Sequence, residues 1–182
     1  MWLYHDNGDH VEEDVMTKTV DDLKAAFAGE SQANRKYLAF AKKADDEGFT
    51  QIAKLFRAVA AAETVHANNH FRALDGVKST TENLQEAVKG ENYEVVTMYP
   101  DFIKDAEGES VKRAVTSFRW AWEVEKVHEV LYRKALAALE AQQLPENVDY
   151  YVCPVCGNTH EGPLEGKCPV CGTPTSRYER IS

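Results

Sequence analysis

A glutamate and a histidine spaced three residues apart occur twice in this sequence, as Glu63 with His66 and as Glu125 with His128. Residues three apart lie on one face of an α-helix, so each pair can present a carboxylate and an imidazole to the same point. Both pairs fall where the surrounding hydrophobic pattern predicts core positions. Because an isolated buried carboxylate is costly, we expect each pair to be protonated, ion-paired or bound to a metal ion.

Two further glutamates, Glu30 and Glu91, interrupt the apolar faces of two other predicted helices. The spacing between the motifs repeats, because Glu63 and Glu125 are 62 residues apart and Glu30 and Glu91 are 61 residues apart. The chain therefore reads as two related helix pairs, each supplying one Glu and one Glu-x-x-His. This matches the known ligand set of ferritin-like di-iron and di-manganese bundles.

Glu94 makes the two halves unequal, because the corresponding position in the first half is Ala33. The candidate ligands then comprise five glutamates and two histidines, which is more than a symmetric pair of ions requires. This surplus predicts two unequal metal ions with one carboxylate available for ligand exchange.

All four cysteines lie within the last thirty residues, in two C-x-x-C pairs that are each spelled CPVCG. This spacing, in a chain that begins without an export signal, favours a four-thiolate metal site over disulfides. So short a module cannot build a large core, so we expect the metal to supply most of its folding energy. Thiolates bind both iron and zinc, and we expect one iron, with zinc as a substitute, because a redox centre is predicted in the same chain. The predicted ligands are Cys153, Cys156, Cys168 and Cys171.

Four long amphipathic helices are needed to position these ligands, and apolar residues at steps of three and four predict them. Thr19 with Asp22 predicts an N-terminal cap for the first helix, and Gly48 a break after it. Ser79 is expected to begin the third helix, and Pro100 to kink it or remove one of its hydrogen bonds. The predicted fold class is an all-α, ferritin-like four-helix bundle followed by a small β/loop domain. The predicted domains are an N-terminal extension (1–16), the bundle (17–142), a linker (143–150) and a cysteine domain (151–182).

The composition argues against several classes of function. The formal net charge is −9, whereas nucleic-acid binding requires a basic surface. No run of residues approaches the roughly 20 apolar residues of a membrane-spanning helix. The N-terminus lacks the basic and apolar regions of a signal peptide. We therefore expect a cytoplasmic protein that binds neither nucleic acid nor membrane.

Taken together, these motifs resemble those of the rubrerythrin family over about residues 17–182. The resemblance implies a ferritin-like di-iron domain followed by a rubredoxin-like domain with one iron bound by four cysteines. It also implies a non-haem di-iron peroxidase that reduces hydrogen peroxide to water and protects against oxidative stress. Electrons would come from NAD(P)H-dependent reductases through the rubredoxin-like iron site. The motifs are AGESQANRKY, AETVHA, GENYEVVTMYP, EVEKVHEVLY and the two CPVCG sequences.

The resemblance also implies roles for individual residues. On reduction of the centre, one iron would exchange Glu94 for His66. Tyr37 and Tyr99 match tyrosines that hydrogen-bond to ligand carboxylates, with ordinary aromatic packing as the alternative for both. The family resemblance further implies a homodimer or larger homo-oligomer and an external electron donor, such as rubredoxin or a flavin reductase. The oxidised di-iron centre would be held by Glu30, Glu63, Glu91, Glu94, Glu125 and His128.

Three other functions remain open from the sequence. A ferroxidase or iron-storage protein would use the same bundle but has no need of a tethered one-electron relay. An oxygen reductase would show little preference for peroxide. A non-enzymatic metal-binding or interaction protein would hold zinc in the cysteine pairs, and it would leave the clustered acids as a cost to the fold.

Overall fold

A computed structural model describes residues 10–144 and 146–181, with side chains from residue 18 onward. These residues form two compact units, one ending at Lys78 and the other beginning at Ser79. The helices are α1 (His10–Asp46), α2 (Thr50–Ala73), α3 (Thr80–Tyr93), a π-helical segment (Glu94–Met98), α4 (Tyr99–Gly108) and α5 (Lys112–Glu140). The strands are β1 (Tyr150–Val152), β2 (Thr159–Glu161) and β3 (Glu179–Ile181), with a 3-10 turn at Thr175–Arg177.

In the N-terminal unit, α1 packs against α2 along its length. Gly48 adopts a positive φ of 82° in the short loop between them, a conformation that glycine reaches without strain. Small side chains such as Ala53 and Ala60 are fully buried, which lets the two helices approach closely. The buried amide of Asn34 donates hydrogen bonds to the carbonyl of Ala60 at 2.7 Å and to Thr64 Oγ1 at 2.9 Å. These bonds fix the register of α1 against α2.

The start of α1 differs from the prediction. The helix begins at His10, so Thr19 lies inside it and does not cap its N-terminus. Residues 10–18 contain no glycine or proline that would stop a helix, and Lys18 pairs with Asp22 one turn later at 3.0 Å. The helix therefore extends into the predicted N-terminal extension, of which residues 1–9 lie outside the described part.

In the C-terminal unit, α3 begins with the predicted cap at Ser79. The Ser79 hydroxyl accepts from the N–H of Glu82, and the Glu82 carboxylate accepts from the N–H of Ser79, which forms a capping box. After α3 the chain passes through the π-helical segment, where the N–H of Tyr99 donates to the carbonyl of Glu94. Pro100 then lies in the first turn of α4, where its missing N–H costs little. The predicted interruption is therefore a π segment after which the helix resumes.

α5 packs against α3, the π segment and α4, and the cysteine module follows it. The module is a three-stranded antiparallel sheet in the order β2-β1-β3, in which Tyr151 pairs with His160 and with Arg180. Its strand β2 contacts α5. The predicted fold class is confirmed, since long helices are followed by a small antiparallel β module. None of the described helices is long and apolar enough to cross a membrane.

Candidate metal centres

In the N-terminal unit, one predicted ligand on α1 meets two on α2. Glu30, Glu63 and His66 each offer a ligand atom, and these atoms all lie within 4.8 Å of one another. His66 Nδ1 lies 2.9 Å from Glu63 Oε2. Among the described residues, Nε2 of His66 has no hydrogen-bond partner, and the side chain is 54% exposed. This histidine is therefore held at one nitrogen only.

The C-terminal unit repeats the arrangement with Glu91 on α3 and with Glu125 and His128 on α5. His128 Nδ1 lies 2.5 Å from Glu125 Oε2, and the side chain is 26% exposed. Unlike its counterpart on α2, this imidazole has a second partner, because Nε2 lies 3.0 Å from Thr159 Oγ1. The two triads thus share one donor set but differ in how firmly the histidine is held.

The carboxylates of the C-terminal unit strongly influence one another. Burial raises the pKa of Glu91 to about 7, and its hydrogen bond to Glu125 and the charge of Glu125 raise it further. The pKa of Glu94 is also raised, first by burial and then by Glu125. Burial and the charges of Glu94, Glu125 and Glu91 raise the pKa of Tyr99. Glu94 and Tyr99 therefore face the same acidic cluster, although Glu94 is not one of the three most closely grouped ligands.

This donor set fits the expected metal. Clustered carboxylates compete for protons, and a divalent cation placed among them would replace those protons and offset their mutual repulsion. Carboxylate oxygens suit iron and manganese, and imidazole nitrogen suits ferrous iron. Two glutamates and one histidine in each unit are thus suitable ligands for iron.

The two predicted supporting tyrosines lie in aromatic clusters. The ring of Tyr37 is 6.2 Å, centroid to centroid, from those of Phe40 and Phe56. The ring of Tyr99 is 6.4 Å from those of Phe102 and Phe118. Across the described part of the chain, neither hydroxyl donates to a ligand carboxylate, so both predicted roles remain predictions.

Sequence reasoning missed several residues that position the ligands. The indole N–H of Trp122 donates to the carbonyl of Val95 at 2.8 Å, inside the π segment. The amide of Asn92 donates to Glu129 Oε1 at 3.0 Å, which joins α3 to α5 beside the acidic cluster. Asn34 offered a signal, since it is a polar residue in an apolar stripe, whereas the partners of Trp122 depend on tertiary packing.

The four cysteines converge as predicted. Sγ of Cys153 lies 3.6 Å from Sγ of Cys171, and Sγ of Cys156 lies 3.5 Å from Sγ of Cys168. Sulfurs bound tetrahedrally at about 2.3 Å from a metal lie about 3.8 Å apart, so the spacing suits one four-coordinate ion. No disulfide joins them.

The two CPVCG turns have matching backbones. The N–H of Gly157 donates to the carbonyl of Cys153 at 2.9 Å, and the N–H of Gly172 donates to that of Cys168 at 3.0 Å. Both glycines have a positive φ, 83° and 75°, which allows the chain to turn this tightly around a metal. The predicted role of these glycines in the turns is confirmed.

Local hydrogen bonds prepare one thiol for metal binding. Burial opposes ionisation of Cys168, but hydrogen bonds from Tyr178 and from the backbone N–H groups of Cys171 and Val170 lower its pKa to about 6. The pKa of Cys171 is lowered as well, because hydrogen bonds from Thr173 outweigh burial. Thiolate is the form that binds metals, so this side of the site is ready to do so at neutral pH.

Comparison with known proteins places these sites in a family. A family model described as rubrerythrin matches residues 21–136. Nigerythrin of Nitratidesulfovibrio vulgaris is 38% identical over 174 residues, covering 88% of this chain and 85% of its own. Rubrerythrin-2 of Clostridium acetobutylicum is 32% identical over 175 residues, covering 88% and 95%. A solved structure of nigerythrin in its fully reduced, all-ferrous state is 36% identical and covers 90% of this chain and 86% of that chain, with a TM-score of 0.54. This chain belongs to the rubrerythrin family, and its carboxylate–histidine triads and four-cysteine cluster fit the iron cofactors of that family.

Proposed function

We propose that this protein is a peroxidase that reduces hydrogen peroxide to water at a di-iron centre, with electrons entering through its four-cysteine site. Each peroxide would take up two electrons and two protons and would yield two water molecules. The observation that best supports the proposal is the presence, in one chain, of two Glu, Glu, His triads and a four-thiolate cluster. The triads are suitable for the reducing centre, and the thiolates are suitable for a one-electron relay.

We assign the ligands as follows. Two ferrous ions, when bound, would supply one electron each to the O–O bond, so that the bond breaks without release of a radical. The carboxylates hold the oxidised state, since oxygen ligands favour ferric iron, and histidine favours the ferrous state. The proposed ligands of the oxidised centre are Glu30, Glu63, Glu91, Glu94, Glu125 and His128.

The contrast between the two histidines supports His66 as the ligand that responds to reduction. His66 is held only by Glu63, so its ring can turn with the loss of one hydrogen bond. His128 is held at both nitrogens and is suited to stay in place. Glu94, the ligand proposed to leave, begins the π segment at the end of α3. Segments of this kind occur mostly at functional sites.

Hydrogen bonds around the bundle site support the proposed work of its tyrosine. Tyr99 lies against Glu94, Glu125 and Glu91, and its neutral hydroxyl is a donor that can hold a ligand carboxylate in place. Tyr37 is proposed to do the same for the N-terminal triad. Removal of either hydroxyl would leave the ring packing intact and test the hydrogen bond alone.

The four-cysteine site is proposed to accept one electron at a time from an external donor, such as rubredoxin or a flavin reductase linked to NAD(P)H. Its four free thiols suit a reducing compartment such as the cytoplasm. We further propose that the protein acts as a homodimer or larger homo-oligomer, which sedimentation of the iron-loaded chain would measure.

Steady-state peroxide consumption by the iron-loaded protein tests the activity. With an NADH-linked flavin reductase as donor, wild type should consume one NADH for each peroxide. Glu125→Ala, which removes a ligand, should lower the rate at least about tenfold. Glu123→Ala is the matched control, because Glu123 lies on the same helix but pairs with Lys126 at 2.7 Å. Equal rates in both variants, or no consumption by wild type, would refute the peroxidase.

A further inference from the structure

Thr159 lies between the two metal-binding regions of the C-terminal unit. Its Oγ1 is 3.0 Å from Nε2 of His128 and donates to the carbonyl of Gly157 at 3.1 Å. Gly157 directly follows Cys156 in the first CPVCG turn. Two hydrogen bonds therefore connect the imidazole of a bundle ligand with the backbone that shapes the four-cysteine site.

The direction of both hydrogen bonds follows from the groups involved. A carbonyl oxygen only accepts, so the single hydroxyl hydrogen of Thr159 is given to Gly157. Toward His128 the hydroxyl oxygen must therefore accept, which requires a hydrogen on Nε2. In the neutral imidazole, Nδ1 then keeps its lone pair. That nitrogen faces Glu125 Oε2 at 2.5 Å, so the lone pair is directed toward the carboxylate with which it would share an ion.

A second contact holds Thr159 in place. Glu161, two residues along β2, accepts a hydrogen bond from Lys134 Nζ on α5 at 2.5 Å. Alternate residues of a strand lie on the same face, so Thr159 and Glu161 meet α5 together. For His66 no group corresponding to Thr159 is found in the described part of the chain. The support is thus specific to the C-terminal triad.

We propose that Thr159 is a positioning residue that fixes His128 in the form that binds a metal through Nδ1. A metal ion in the four-cysteine site orders the turn that carries Gly157, and so strengthens metal binding by Glu91, Glu125 and His128 of the same chain. The coupling is reciprocal, so a metal bound to the triad strengthens binding by the cysteines by the same factor. This inference deepens the proposed function and rests on it for the identity of the triad as an iron site.

The first test is the position of the imidazole hydrogen in the full-length chain with zinc in the four-cysteine site. Two-bond proton–nitrogen correlations in the nitrogen-15-labelled protein distinguish the two ring nitrogens of His128. The proposal predicts a hydrogen on Nε2 in wild type and loss of that preference in Thr159→Val. A hydrogen on Nδ1 of His128 in the wild-type protein would overturn it, whatever the behaviour of the variants.

The second test is manganese binding to the same zinc-loaded chain, followed by calorimetry. Thr159→Val, which keeps the shape but removes the hydroxyl, should weaken Mn²⁺ binding by about tenfold or more, the usual effect of removing a group that supports a ligand. Thr159→Ser should restore it. Thr175→Val is the matched control, because Thr175 Oγ1 donates to the carbonyl of Gly166 at 3.1 Å in the same module. Manganese should bind more weakly to the chain without zinc, by a similar factor.

The outcomes separate a specific role from a general one. Unchanged Mn²⁺ binding in Thr159→Val, or an equal loss in Thr175→Val, would overturn the proposal. If Thr159→Val no longer binds zinc, the hydrogen position in wild type decides the question. Absence of peroxide turnover would refute the proposed function, but it would leave the hydrogen position and the manganese affinities as they are.

Discussion

Trp122 on α5 donates its indole N–H to the carbonyl of Val95, 2.8 Å away in the π-helical segment that begins at Glu94. A π turn shifts the backbone bonding pattern by one residue, so a carbonyl in it needs a partner outside the regular series. The tryptophan supplies that partner one residue after Glu94. The π segment in turn sets the direction in which Glu94 leaves the helix.

Loss of this hydrogen bond should disturb Glu94. We expect Trp122→Phe to lower the free energy of unfolding by about 1 kcal/mol, the usual effect of one lost hydrogen bond. We also expect weaker metal binding to the bundle, measured by manganese titration of the zinc-loaded protein. Trp120→Phe is the control, because Trp120 lies half-buried on the same helix and has no hydrogen bond among the described residues. Equal effects of the two substitutions would contradict this role.

The two histidines should differ in their effects on turnover. We expect His66→Ala to slow peroxide reduction by about tenfold or more, because the reduced centre loses a ligand. The ferric–thiolate absorption of the four-cysteine site should stay unchanged, since His66 lies in the other unit. We expect His128→Ala to lower metal content as well as rate, which elemental analysis would show. A normal rate in His66→Ala would remove it from the ligand set.

The stability of the metal-free chain should depend on pH through Glu91. Its pKa is raised from 4.5 to about 7 in the folded chain, so the folded state holds this proton more tightly than the unfolded state does. The resulting stability is present below pH 4.5 and is lost as the pH rises through 7. Because the site is partly exposed and screened, we expect a loss of only about 1 kcal/mol.

Urea unfolding of the metal-free protein at several pH values measures this contribution. Glu91→Gln stays neutral, so its stability relative to wild type should increase as the pH rises through 7. Glu86→Gln, an exposed position on the same helix, should show no such trend. Metal binding should have the opposite dependence, because it requires ionised carboxylates and should strengthen with increasing pH. A flat difference between Glu91→Gln and wild type would contradict the assigned shift.

Removing the metal from the four cysteines should unfold the module and leave the helices folded. Each strand of the module has only three residues, which is too little for a stable core without a metal. A chelator should abolish hydrogen-exchange protection in β1–β3, while helical circular dichroism changes little. Persistent protection of the strands after complete metal removal would show that the module folds without the ion.

Features that depend on local sequence were predictable. The i, i+3 spacing brings Glu63 next to His66 and Glu125 next to His128 because it follows from helix geometry alone. The cap at Ser79 was predictable because it involves only neighbouring residues. The four cysteines could be assigned to one site because their spacing suits a tetrahedral ion.

Features that depend on tertiary contacts were not predictable. The bond between His128 and Thr159 joins residues 31 apart in the chain, in segments predicted as separate domains. The π segment keeps a helical hydrophobic pattern, and it is distinguished by a partner from α5. The early start of α1 was missed because the Thr19 motif competes with residues before it that also favour a helix.

Anaerobic titration of the fully reduced, iron-loaded protein with hydrogen peroxide tests the proposed peroxidase most directly. Stopped-flow absorbance would follow the di-iron centre and the ferric–thiolate band together, with a parallel titration using oxygen. The account predicts fast oxidation of the di-iron centre by peroxide, followed by oxidation of the four-cysteine iron, and a much slower reaction with oxygen. Faster oxidation by oxygen, or a four-cysteine site that never changes its oxidation state, would contradict a peroxidase with a working relay.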